Sequence, residues 1–232
     1  MKAVFFDLDG TLLPMDENKF VKGYFGLLIN QLKDFGFEKE SFVKAIWYGT
    51  DAMRKNDGKK TCSDAYWDAF TSLYPNLNRQ EIKSAFENFY ATGFKDSKQF
   101  CFEAHKNAQG IIDAIKNKGY KLVIAGNPMF PLCAMKTRIE FAGINPDSFD
   151  YIPNYEEMHF AKPNKNFLLE LMNKFDLKKE DVIYFGNSQK DDANPAKELG
   201  IKFYYTGNIV KEEEGDNYFP SIDFQDIPKL FN

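Results

Sequence analysis

The sequence predicts an α/β fold, a doubly wound and mostly parallel sheet with an all-α segment inserted after the first strand. Four short apolar runs point to the sheet: Ala3–Phe6, Leu122–Ala125, Val182–Phe185 and Phe203–Tyr205, each ending in polar or glycine residues. Helical patterns separate the later runs, as alternating βαβ units require. A long stretch from about 15 to 92 shows helical patterning without a convincing strand.

Ala3–Phe6 stops at Asp7-Leu8-Asp9-Gly10-Thr11, as a buried strand entering a loop does. In the inserted stretch, Phe20, Tyr24, Leu27, Leu28 and Leu32 suit one helix face, and Phe42, Ile46 and Trp47 a second. Tyr66, Trp67 and Phe70 suit a third, and Ile82, Phe86 and Phe89 a fourth. Tyr66 and Trp67 are expected in the core. The polar segment Lys55–Lys60 reads as a turn. Arg54, Lys59 and Lys60 flank it, either as a charged surface loop or as groups reaching toward an anionic substrate.

Ile111, Ile112 and Ile115 precede Lys118-Gly119, a helix with a glycine stop. Phe167, Leu168, Leu171 and Met172 form an amphipathic stripe behind Pro163, and Asp192–Leu199 closes at Gly200. Ile222–Phe231 carries apolar residues that should dock on the core, and Glu212–Glu214 reads as a solvated loop. The expected division is residues 1–14 and 93–232 for a Rossmann-like core and 15–92 for the helical insertion.

The chain has 232 residues, enough for such a core and insertion, and 44% are hydrophobic. A net charge of −4 leaves no basic excess, so neither a nucleic acid nor an anionic membrane is an expected partner. No apolar run approaches the length of a membrane span, and the apolar start ends too early, at Asp7, for a signal peptide. Cys62, Cys101 and Cys133 match no zinc spacing, and His105 and His159 are too few for a zinc site; a reducing, cytoplasmic setting fits. No feature of the sequence specifies an oligomeric state.

Open α/β sheets bind ligands beyond the carboxyl ends of their strands. Three predicted strands end there in polar groups: Asp7 with Asp9, Asn127, and Asn187 through Asp192. Two carboxylates one residue apart on a loop can divide the work of phosphoryl transfer. One attacks phosphorus; the other protonates the leaving oxygen and later accepts a proton from water. Gly10 allows a sharp turn whose N–H groups cradle phosphoryl oxygens. Four fixed positions of this kind arise by accident in roughly one chain per thousand of this length.

Asp7-Leu8-Asp9-Gly10-Thr11 resembles the first motif of the haloacid dehalogenase (HAD) superfamily of hydrolases. Gly126-Asn127, Lys162-Pro163 and Gly186-Asn187-Ser188-Gln189-Lys190-Asp191-Asp192 stand in order at its second, third and fourth motifs. The insertion at 15–92 is similar to the helical cap that many members place between the first two motifs. The resemblance implies a Mg²⁺-dependent phosphatase acting on a small phosphorylated metabolite. Asp7 would be nucleophile and metal ligand. Asp9 would be general acid/base, with its carbonyl on the metal. Lys162 would bind the transferring phosphoryl group. Thr11, Gly126 and Asn127 would contact substrate, and Asn187 with Asp192, or alternatively Asp191, would help hold the metal.

Two positions depart from the family pattern. Gly126 stands where a hydroxyl residue normally donates to a phosphoryl oxygen, a loss of about 2.7–4 kcal/mol of transition-state stabilisation if nothing substitutes. Asn187 stands where the family has its first acidic ligand. A phosphomutase shares every motif. A site weakened by Gly126 and Asn187 that binds phosphorylated ligands without turnover is the alternative from another class. A dehalogenase fits less well, because family dehalogenases lack an acid at the place of Asp9.

Overall fold

A computed structural model describes residues 2–211 and 218–231. The expected loop at Glu212–Glu214 lies outside the described residues. The chain forms a four-stranded sheet of β1 (Ala3–Phe6), β2 (Lys121–Ile124), β3 (Val182–Ser188) and β4 (Lys202–Val210). The strand order is β2-β1-β3-β4 and every pairing is parallel. Strand order therefore reverses at β1, which creates a crevice beyond the carboxyl ends of β1, β2 and β3.

Successive strand residues alternate between two apolar layers, and both faces are buried, as a parallel sheet requires. Val4, Phe6, Leu122, Ile124, Ile183 and Phe185 face one layer, with α5 (Ala108–Lys116) and α6 (Leu132–Phe141). Ala3, Phe5, Val123, Val182 and Tyr184 face the other, with α7 (Asn166–Lys174) and α8 (Asn194–Leu199). The C-terminal 3₁₀ segment Phe224–Phe231 buries Phe224, Ile227 and Phe231 against the first layer.

Between β1 and α5 lie four helices: α1 (Glu17–Gln31), α2 (Lys39–Arg54), α3 (Cys62–Ser72) and α4 (Arg79–Thr92). Asp16, Thr61 and Asn78 cap α1, α3 and α4 by accepting from backbone N–H groups of their first turns. The buried residues of α1, Phe20, Tyr24, Phe25 and Leu28, recur at helical spacing. They join an aromatic cluster with Phe89, Tyr90 and Phe94, which also packs on Phe130 and Phe141. Apolar packing thus fastens these helices over the crevice end of the sheet.

Two expectations change. Trp47, expected on a buried helix face, is 44% exposed and meets Phe25 edge-on at 5.5 Å. The run ending at Thr206-Gly207 does not stop in a turn: β4 continues to Val210 through an irregularity in its pairing with β3. Gly207 adopts φ 77° there, and a Cβ on it would lie 2.1 Å from the carbonyl oxygen of Gly10. Only glycine fits this approach. The Asn208 N–H donates to that same carbonyl at 2.6 Å, so the end of β4 clasps the loop after β1.

Phe185 is fully buried and stacks on Phe6 at 5.2 Å and on Tyr204 at 5.7 Å. Phe185→Ala should lower the free energy of unfolding by about 3–5 kcal/mol in urea titration. A loss below about 1 kcal/mol would contradict this packing.

Candidate active site

The carboxyl ends of β1, β2 and β3 open into a cavity of about 770 Å³. Asp7, Asp9, Asn127, Lys162, Asn187, Asp191 and Asp192 all line it. Thr11 and Gly126, expected to touch substrate, are buried and lie beneath the cleft rather than on its wall.

Lys162 is the hub. Its Nζ donates to Asp7 Oδ1 at 2.6 Å and to Asp192 Oδ1 at 2.5 Å, and all three residues are at most 5% exposed. The Thr11 hydroxyl donates to Asp7 Oδ2 at 2.7 Å. Burial and the neighbouring Asp192 push the Asp7 carboxyl up to about 7, against the lowering pull of Lys162 and Thr11. Burial also works against the Lys162 ammonium, but Asp192 and Asp7 together hold its pKa well above the ordinary value. The lysine therefore stays charged.

Asp192, preferred over Asp191 in the sequence as a metal ligand, has both oxygens committed. Oδ1 accepts from Lys162 and from the Tyr184 hydroxyl, each at 2.5 Å. Oδ2 accepts from the backbone N–H groups of Asn187 and Ser188. A Cβ on Gly186 would lie 2.7 Å from this carboxylate, so glycine gives it room. Asp191 instead stands half-buried on the cleft wall, its pKa raised by burial and by Asp192 against the pull of Lys162 and Arg54. The π-helical turn Gln189–Ala193 sets the two neighbouring carboxylates in these different directions.

Both departures from the family pattern have local steric or hydrogen-bonding causes. A Cβ at Gly126 would lie 2.9 Å from the Cβ of Leu8, so a hydroxyl residue there would displace the loop that carries Asp7. Asn187 uses both ends of its amide. Nδ2 donates to the Asn208 carbonyl at 2.8 Å, and Oδ1 faces the Thr11 hydroxyl at 3.3 Å. A carboxylate in its place would set an oxygen against that carbonyl. Asn127 Oδ1 accepts from the Lys162 backbone N–H at 3.2 Å, tying the loop after β2 to the lysine.

Arg138 and Glu17 of the cleft wall, and His105 against the Thr11 carbonyl, carry no role expected from the sequence. Arg138 on α6 is 1% exposed and forms an ion pair through Nη2 with Asp9 Oδ2. Its guanidinium lies over Phe130 at 4.6 Å. Burial pushes Arg138 down to about 10, while Asp7 pulls it up, so it remains charged at neutral pH. Asp9 Oδ1 is buried without a hydrogen-bond partner among the described residues. The available signal was an arginine beside Ile139 and three residues after Met135, within the buried positions of α6. Glu17 stands at the rim in the first turn of α1, its pKa raised by desolvation and by Asp191 and Asp192. In sequence it reads only as a favourable acidic helix start. His105 Nε2 sits 2.8 Å from the Thr11 carbonyl, which accepts, and its ring stacks on Phe224 at 4.2 Å. Of the basic residues near the polar turn, Arg54 lines the cleft, whereas Lys59 pairs with Asp57 and Lys60 with Asp68.

Among the described residues, no group of three or more His, Cys, Asp or Glu is placed to hold a metal ion, and no helix is long and apolar enough to cross a membrane. The donors that line the cleft are nevertheless all oxygen: Asp7, Asp9 and Asp191, while the Asn187 amide is spent on Asn208 and Thr11. One or two carboxylates completed by waters and phosphate suit Mg²⁺.

The steric account of position 126 predicts that Gly126→Ser destabilises the fold by about 1–3 kcal/mol in denaturant titration. Restored or raised activity with unchanged stability would contradict it.

Residues 1–200 match the model of the haloacid dehalogenase-like hydrolases. The chain is 23% identical to the pyrophosphatase PpaX of Halalkalibacterium halodurans, an alignment covering 100% of this chain and 96% of that one. Its fold resembles a HAD phosphatase from Thermococcus onnurineus, with TM-score 0.61, 18% identity and 100% and 98% of the two chains covered. It also resembles a 2-haloacid dehalogenase from Pseudomonas syringae, with TM-score 0.66, 14% identity and 99% and 97% covered. The chain belongs to the haloacid dehalogenase-like hydrolases.

Proposed function

We propose that this hydrolase is a Mg²⁺-dependent phosphatase that cleaves a small phosphorylated substrate through an aspartyl-phosphate on Asp7. The observation that carries the reading is the loop after β1. It places Asp7 against Lys162 and sets a second carboxyl, Asp9, on the same cleft.

In the first step an oxygen of Asp7 attacks phosphorus and the bond from phosphorus to the leaving oxygen breaks. The Asp9 carboxyl gives that oxygen a proton carried on Oδ1, the oxygen without a partner among the described residues, while Oδ2 faces Arg138. In the second step water attacks the same phosphorus, its proton passes to Asp9, and the bond from phosphorus to Asp7 breaks. Free phosphate and both carboxyl groups are regenerated. Lys162 offsets the charge of Asp7 and Asp192 and presents a positive group to the transferring phosphoryl oxygens. Asp7, Asp191 and the Asp9 carbonyl would hold Mg²⁺, which neutralises phosphoryl charge when bound. Thr11 orients Asp7, and Asn127 orients the Lys162 loop.

In this reading residues 15–92 act as a cap, since α1 and α2 contribute residues to the cleft wall, and 1–14 with 93–232 form the core. The phosphatase and pyrophosphatase relatives support phosphoryl chemistry, and the acid at Asp9 favours it over dehalogenation. Three cysteines without disulfides support a cytoplasmic setting.

p-Nitrophenyl phosphate should be hydrolysed with Mg²⁺ and not in excess chelator, and Asp7→Asn should lower kcat by about 10³-fold or more. Asp191→Asn should raise the Mg²⁺ concentration needed for half-maximal rate by about tenfold with little change in stability. Asp192→Ala should instead destabilise the fold by about 3–5 kcal/mol, because it removes a partner from a buried charge network. Turnover that survives both chelation and Asp7→Asn would overturn the reading.

A further inference from the structure

The cavity has two unlike ends. One holds the carboxylates and Lys162. The other is a chamber between α1, α2, α3 and α4, walled by the rings of Phe20, Tyr24, Phe25, Trp47, Tyr66 and Phe130. The whole cavity, about 770 Å³, lies well within the range that encloses a drug-sized ligand. A two- or three-carbon phosphate would fill only its polar end.

The chamber's chemistry limits what can occupy it. The hydroxyls of Tyr24 and Tyr90 bond to each other at 2.7 Å, so each already has one partner within the wall. Arg138, at the seam between the two ends, is paired with Asp9 and covered by Phe130. The remaining charged groups of this half of the wall, Glu17, Lys22, Lys39 and Arg54, are exposed residues at the rim. Of the buried polar atoms lining this end, Trp67 Nε1 and Arg138 Nε lack a partner among the described residues, too few to satisfy a polyol, whereas a ring would bury apolar surface against edges and faces of other rings.

On the phosphatase reading above, we propose that the substrate is a phosphomonoester of a bulky, apolar, ring-bearing alcohol. Its ring seats in the aromatic chamber while its phosphoryl group reaches Asp7. Trp47 closes the outer side of the ring site. It lines the cavity while 44% of its surface stays exposed. The phosphoryl end supplies the reaction and the aromatic end supplies selectivity.

Primary phosphate esters test this directly, because ethyl phosphate, glycerol phosphate and 2-(2-naphthyl)ethyl phosphate all release a primary alkoxide. With the full chain and Mg²⁺, the naphthylethyl ester should exceed ethyl phosphate in kcat/KM by about thirtyfold or more. Glycerol phosphate should show no such gain. Trp47→Ala should cut the naphthylethyl-to-ethyl ratio about fivefold or more. Acetyl phosphate, small and activated, reports the phosphatase reading independently of the chamber. Hydrolysis of acetyl and ethyl phosphate with equal or better use of glycerol phosphate than of the naphthylethyl ester would overturn the proposal and leave the phosphatase standing. Absence of Asp7-dependent hydrolysis of every ester would remove the phosphatase reading and the proposal with it.

Discussion

The site depends on one buried ammonium held between two buried carboxylates. Lys162 binds Asp7 and Asp192 at once, and each sits where water would otherwise stabilise its charge. Unit charges 4 Å apart at an effective dielectric of 20 interact by about 4 kcal/mol, and each buried ion costs several kcal/mol to desolvate. The lysine alone does not offset that cost. Tyr184 and two backbone N–H groups complete Asp192, and Thr11 completes Asp7. The result is asymmetric: Asp192 is saturated and anchors the lysine, while Asp7 retains a pKa raised to about 7 and faces the cleft. A carboxyl strained by burial in this way is relieved by bonding to an electrophile or a cation, which is what the proposed chemistry asks of it.

The surrounding fold serves this arrangement. Asp7, Gly126 and Asn187 come from the ends of three adjacent parallel strands, which meet because the strand order reverses at β1. β4 overruns its expected end to clasp the Gly10 carbonyl, and the Asn187 amide bridges Thr11 to Asn208. The loop that carries Asp7 is thus held from β3 and β4 together.

Legibility in the sequence followed residue chemistry. Asp7 and Asp9 stood out as paired carboxylates ending an apolar strand, and Lys162 only because its place in the chain order matched a known pattern. The four strands and the inserted helices were visible because their periodicities repeat over several residues. What stayed hidden depends on contacts distant in sequence. Gly126 read as a lost hydroxyl, but the reason for glycine is the Cβ of Leu8. Asp191 and Asp192 are neighbours in a charged run, and only the π turn shows which one is spent on Lys162. Arg138 sat inside an ordinary amphipathic helix, with nothing local to reveal Asp9 as its partner. Trp47 matched a buried helix face by spacing yet lies at the rim of a chamber that only the assembled helices enclose.

An aspartyl-phosphate on Asp7 would be open to chemical trapping. Borohydride reduces an acyl phosphate to an alcohol, which would convert a phosphorylated Asp7 to homoserine. Protein quenched with borohydride during turnover should carry homoserine at position 7, absent without substrate and absent from Asp7→Asn. Steady turnover with no modification at position 7, or with homoserine at another aspartate instead, would contradict it.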